Sequence, residues 1–186
     1  MPGAGRSMLV KADEIIKFLK LATPLLRDDR LRVMSRFIQH GSTTCLTHCL
    51  AVAYYSFLLT EYLQIPCDQS SLVRGALLHD YFLYDWHENG SGHRFHGFSH
   101  PSAALNNAAR DFELNRVERN IIARHMFPLV PVPPRYRESA IVCIMDKCCS
   151  LYETFSRDAY ASSSVIQRGG LRAAAGQRNG GRYGMV

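Results

Sequence analysis

The sequence predicts an all-α fold, and three observations carry that prediction. Apolar residues in nearly every periodic segment recur at three-to-four spacing, hardly any stretch alternates as a half-buried strand would, and capping residues or prolines bound the helical runs. At 186 residues the chain is sized for one domain with a core of its own. Its hydrophobic content of 47% excludes global disorder. No apolar run approaches the ~18–20 residues that span a bilayer. The start, Met1-Pro2-Gly3-Ala4-Gly5-Arg6, is not followed by an apolar core with a small-residue cleavage site. A cytoplasmic location with no membrane partner is the expectation.

Taken in order, residues 11–21 place Ile15, Ile16, Phe18 and Leu19 on a helical repeat, and residues 28–38 do the same with Leu31, Met34, Phe37 and Ile38. Ser42-Thr43-Thr44 can cap a long helix to about Leu63 that carries Leu46, Leu50, Ala53, Phe57 and Leu58, and Pro66 ends it. Asp68-Gln69-Ser70 opens a helix over 70–79, with Leu72, Val73, Ala76 and Leu77 toward the core. Residues 81–99 break the pattern with Asn89-Gly90-Ser91-Gly92 among aromatics, histidines and acids, and a loop of this size is often functional. Ser99-His100-Pro101 restarts a helix to about Asp111, with proline in its favoured first turn. Asn115 caps the next, through His125. Pro128, Pro131, Pro133 and Pro134 predict an extended linker. The last helix, 136–155, carries Ile141, Ile144, Met145 and Cys148 along one side. After Tyr160 the chain is rich in Ser, Gly and Arg, which predicts disorder.

Charge and cysteines narrow the function. Four arginines (Arg168, Arg172, Arg178, Arg182) and no acid lie between Ser162 and Val186, so most of the net charge of +6 belongs to this segment. The remainder is ordinary for an enzyme that handles anions, and nucleic acid is not the expected partner. Cys45, Cys49, Cys67, Cys143, Cys148 and Cys149 include no Cys-x-x-Cys pair, and four of them fall inside apolar helical patterns. They read as reduced, mostly buried thiols rather than disulfides or a zinc site.

The most informative feature is His79-Asp80 at the end of the helix Leu77-Leu78. His48 lies upstream; His100, His125 and Asp146 lie downstream. Each sits at or beside an apolar stripe that faces inward. Neutral imidazoles and ionised carboxylates are ligands of first-row transition metals, and burying them without partners is costly, at roughly several kcal/mol for an unpaired charge. A shared metal site would remove that cost for all six residues together.

The order His, His-Asp, His, His, Asp, together with His100-Pro101-Ser102-Ala103-Ala104, Ile121-Ile122-Ala123-Arg124-His125 and Met145-Asp146-Lys147, resembles the HD-domain metal-dependent phosphohydrolase superfamily from about Thr43 to Glu153. In ligand order it is similar to the dinuclear members, among them the symmetrical diadenosine tetraphosphate hydrolases. The resemblance implies an all-α HD-domain helical bundle with the site in its core. Residues 41–160 would be the domain, 1–40 helices packing on it, and 161–186 a disordered basic tail. It implies one ion on His48, His79, Asp80 and Asp146, and a second on His100 and His125 that shares Asp80. His96 competes with His100 for its position. Iron is the implied metal, with manganese, cobalt, nickel and zinc open.

By resemblance the function is a metal-dependent phosphohydrolase acting on a nucleotide or other small phosphate ester through a metal-bridging hydroxide. Asp80 would share the two ions. Lys147 could reach a phosphate, and Asp85 or Glu88 could assist proton transfer to a leaving group. Tyr81, Phe82, Tyr84, Trp86, Phe95 and Phe98 offer faces on which a base could stack or rings that seal the core. The alternatives are a non-catalytic metal- or nucleotide-binding regulatory module and a di-iron oxidative enzyme.

Overall fold

The computed structural model describes residues 4–83, 96–156 and 159–167. It is all-α, apart from one small hairpin. The helices are α1 (Ala4–Leu26), α2 (Asp29–Arg32), α3 (Cys45–Tyr62), α4 (Gln69–Leu78), α5 (His96–Asp111), α6 (Arg116–Arg124) and α7 (Arg137–Phe155). Among the described residues, no helix is long and apolar enough to cross a membrane.

The central element is α3. Thr44 caps it by accepting a hydrogen bond from the Thr47 amide at 3.2 Å, and its apolar residues face several sides, with Leu46, Cys49, Leu50, Val52, Ala53 and Phe57 all buried. A helix apolar all round must be enclosed, and α4 and α7 pack directly on it, while α6 packs on α4 and α7. Asp68 caps α4 through the Ser70 and Ser71 amides, both at 3.1 Å. Asn115 and Glu118 form a reciprocal capping box on α6. Where α4 crosses α6 the backbones come close because position 75 is glycine, which lies against Ile121.

Several sequence expectations change. Residues 28–38 are not one helix: α2 is followed by a 3-10 turn, Val33–Arg36, and then by strand β1 (Ile38–His40), antiparallel to β2 (Thr43–Thr44). Phe37 is already extended, and its carbonyl accepts from the Cys45 amide at 2.8 Å, so pairing with the start of α3 outcompetes another helical turn. Gly41 supplies the left-handed residue of the hairpin, at φ 57°. The segment with four prolines between α6 and α7 is built of turns and bends rather than extended chain. On α7 the stripe through Ile144 and Cys148 points to solvent, with Ile144 60% exposed. The buried face instead runs through Val142, Asp146, Cys149 and Glu153.

The chain also packs beyond residue 160. Residues 164–167 form a helical turn, and Val165 and Ile166 join the core at 4% and 3% exposure. Two adjacent apolar side chains anchor this piece despite its polar surroundings. The rest of the expected basic tail, from 168 onward, lies outside the described residues.

Candidate metal centre

Five helical elements converge on one buried point. His48 lies in the second turn of α3, His79 caps the C-terminus of α4 with Asp80 next in line, His100 comes from α5, His125 caps the C-terminus of α6, and Asp146 comes from the middle of α7. All six side chains are buried. Their donor atoms form two groups, His48 with His79 and Asp146, and Asp80 with His100 and His125, each with its atoms within 4.8 Å of one another.

The two groups meet at Asp80. Its Oδ1 lies 3.3 Å from Nε2 of both His100 and His125. Its Oδ2 lies 3.4 Å from His79 Nε2 and 3.8 Å from His48 Nε2. One carboxylate therefore turns one oxygen to each group. Asp146 Oδ1 completes the first group, 3.1 Å from His48 Nε2 and 3.6 Å from His79 Nε2.

The local fold fixes which ring nitrogen looks inward. His79 Nδ1 donates to the Ala76 carbonyl at 2.7 Å, and His125 Nδ1 donates to the Ile122 carbonyl at 2.8 Å. In both cases a ring at a helix end satisfies a carbonyl three residues back. A carbonyl can only accept, so each Nδ1 carries the proton, and in the neutral ring Nε2 presents a lone pair to the centre. His48 Nδ1 is held by the Glu153 carboxylate at 2.8 and 3.0 Å.

The result is an acceptor-rich interior. Among the described residues, His79 Nε2 and Asp80 Oδ1 are buried without a hydrogen-bond partner. A buried polar atom left so costs ~1–3 kcal/mol, and two such atoms at one point fit a bound cation. The electrostatics say the same. Burial opposes charge on His48, yet the Asp146 and Glu153 carboxylates override it and raise its pKa to about 10. His79 is likewise raised against burial, chiefly by Asp80. Asp80 is held well below the usual carboxylate range, with burial opposing and His79 the main favourable partner. His125 moves the other way, lowered by burial, which suits a neutral ligand. Protons can supply part of the charge that the carboxylates demand; divalent cations can supply it at the same atoms. The donor set, all imidazole and carboxylate, fits first-row transition metals.

Residues that sequence reasoning did not single out surround this point. Gln39, on β1, donates from Nε2 to Asp80 Oδ2 at 2.6 Å, and its own Oε1 is buried without a partner among the described residues. Glu153 backs His48, and Tyr160 donates to Glu153 Oε1 at 2.8 Å. Glu153 could have been found, since it lies seven residues after Asp146 on the same helical face. Gln39 left no such signal inside a segment that reads as helix.

Other expected site residues lie beside the centre, in the core, or outside the described residues. Lys147 donates to the carbonyls of His125 and Cys143 at 2.7 and 3.1 Å, lies 3.4 Å from Cys143 Sγ, and stands 4.0 Å from Asp146 Oδ2. Asp85 and Glu88 lie outside the described residues, as do Tyr84, Trp86 and Phe95 and the side chains of His96 and Phe98. Tyr81 and Phe82 are buried, at 1% and 2% exposure; Tyr81 donates to Asp111, and the Phe82 ring packs edge-on against His100. These two rings seal the core and cannot serve as stacking platforms. None of the six cysteines is in a disulfide.

A helical domain that buries four imidazoles and two carboxylates against one another defines a candidate metal-binding protein. Residues 45–151, more than half the chain, match the family model of the HD domain, and the chain belongs to that family. No curated protein and no solved structure matched it.

Proposed function

We propose that this chain is a metal-dependent phosphohydrolase that acts on a nucleotide or other small phosphate ester. His48, His79, Asp80 and Asp146 would hold one divalent transition-metal ion, and Asp80, His100 and His125 a second, with iron the leading candidate. The observation that carries the reading is the division of Asp80, whose two oxygens face two separate groups of buried Nε2 atoms.

Such ions, when bound, lower the pKa of a water and offset charge on phosphoryl oxygens. The protein's part is to prepare that environment. The carbonyls of Ala76 and Ile122 hold His79 and His125 in the tautomer that turns Nε2 inward, and Gln39 fixes the rotation of Asp80 by donating to Oδ2. The enclosed walls keep bulk water from the donor atoms and strengthen every electrostatic contact among them. Lys147 commits two protons to carbonyls, and the third, near the weak acceptor Cys143 Sγ, is the one to exchange for a phosphoryl oxygen. Asp85 is the acid proposed to protonate the leaving group. Nucleotide preference would rest on Trp86 and its aromatic neighbours in 84–98.

The test is elemental analysis of protein purified without oxygen, followed by turnover of a panel of nucleotides and sugar phosphates with iron or manganese. Two metals per chain and faster release of phosphate from nucleotides are expected. Two metals with no turnover would favour a regulatory module, and oxygen consumption by the reduced centre would favour oxidative chemistry. A chain with no affinity for any of these metals would overturn the reading.

A further inference from the structure

Two residues beyond the matched segment are joined to the candidate centre. Glu153, two residues past the end of that segment at 151 and on the inner face of α7, is fully enclosed and reaches His48 Nδ1 with both oxygens, at 2.8 and 3.0 Å. Tyr160 donates its phenol proton to Glu153 Oε1 at 2.8 Å. Its backbone sits at φ 69°, a left-handed conformation that bulky residues rarely adopt. The surrounding structure holds it there. The Ser163 amide donates to the Tyr160 carbonyl at 2.9 Å, the Gln167 amide donates to the Ser163 carbonyl at 3.0 Å, and Val165 and Ile166 anchor the turn in the core.

The backing of His48 differs from that of His79 and His125. His79 and His125 give Nδ1 to neutral carbonyls, whereas His48 gives it to a carboxylate. A carboxylate behind an imidazole raises its basicity and fixes its plane, and loss of such a partner typically weakens metal binding ~10–100-fold. We infer that Glu153, steered by Tyr160, is a positioning residue that tightens the His48–His79–Asp146 side, which together with Asp80 offers four protein ligands against three on the other side and so fills first. This rests on the two-metal reading above.

The experiment is stepwise addition of Mn2+ to the full, chelator-stripped chain, with free and bound Mn2+ followed by electron paramagnetic resonance, which separates isolated from coupled ions. Wild type should load in two steps, the first giving an isolated-ion signal. Glu153→Gln should weaken the first step ~10–100-fold and leave the second nearly unchanged. Tyr160→Phe, which keeps the ring and removes only the donor, should weaken the same step by a smaller factor. If Glu153→Gln does not fold, Tyr160→Phe decides alone. An unchanged first step, or equal weakening of both steps, would overturn the inference while two-metal binding by wild type left the proposed function standing. A wild-type chain that took up no metal would bring down both.

Discussion

Gly75→Ala probes the contact that sets the spacing between the His79 and His125 ends of α4 and α6. A methyl group built on Gly75 lies 2.5 Å from Ile121 Cδ1, 3.1 Å from its Cβ and 3.3 Å from its Cγ1, all inside the ~3.5–4.0 Å optimum for carbon pairs. Swinging Cδ1 aside relieves only the first clash, and a β-branched side chain in a helix has one favoured χ1 state. The helices must separate slightly. Overpacking of this kind costs ~1–3 kcal/mol, offset by ~1 kcal/mol from the better helix propensity of alanine. A net loss of about 1 kcal/mol is expected, or ~2–4 °C in melting temperature for a chain of this size. Ile121→Val removes the clashing methyl and should cost ~0.5–1.5 kcal/mol alone, but less in the Gly75→Ala background. Urea unfolding of the two single variants and the double variant measures that coupling. Metal affinity should fall with Gly75→Ala, because α4 ends in His79 and α6 in His125. A Gly75→Ala protein that is more stable than wild type and shows no coupling to Ile121 would refute the reasoning.

Other outcomes follow from the same geometry. Asp80→Ala should remove both metals and His125→Ala mainly one, as metal analysis would show; full occupancy in His125→Ala would overturn the assignment. Metal uptake near pH 8 should release protons, because the pKa of His48 is raised to about 10 and that of His79 is raised well above its ordinary value, so cations must displace protons there. Affinity should therefore fall as pH falls, and a dye-monitored titration without proton release would contradict this. A chain ending at Ala161 should melt at lower temperature than the full chain, because Val165 and Ile166 leave the core; an unchanged melting temperature would show that the turn adds nothing.

The six residues now seen together were legible because each stands beside an apolar stripe, and only a shared interior accounts for so many ionisable groups on inward faces. What surrounds them was less legible, for separate reasons. On α7, apolar residues occur on both sides, so periodicity alone could not choose between Ile144 with Cys148 and Val142 with Cys149. The inward carboxylates of Asp146 and Glu153 make the choice, with Glu153 bonded to His48 and Tyr160. Gln39 lies where local helical spacing competes with a backbone pair between Phe37 and Cys45, and the nonlocal bond prevails. Val165 and Ile166 sit in composition that reads as disordered, yet a few buried side chains suffice to order a turn.

The convergence of α3, α4, α5, α6 and α7 has a consequence for how the centre comes into being. His48 and Asp146 are 98 positions apart in the chain, so the first group cannot exist until the opening and closing helices of the matched segment have docked. An unfolded chain offers only scattered imidazoles. Metal capture by the first group would thus be a late event in folding, and release would require one of its elements to swing out. The slowest-exchanging ion would then keep time with the breathing of the least stable of those helices, and occupancy would guard the whole bundle against proteases that attack its open forms.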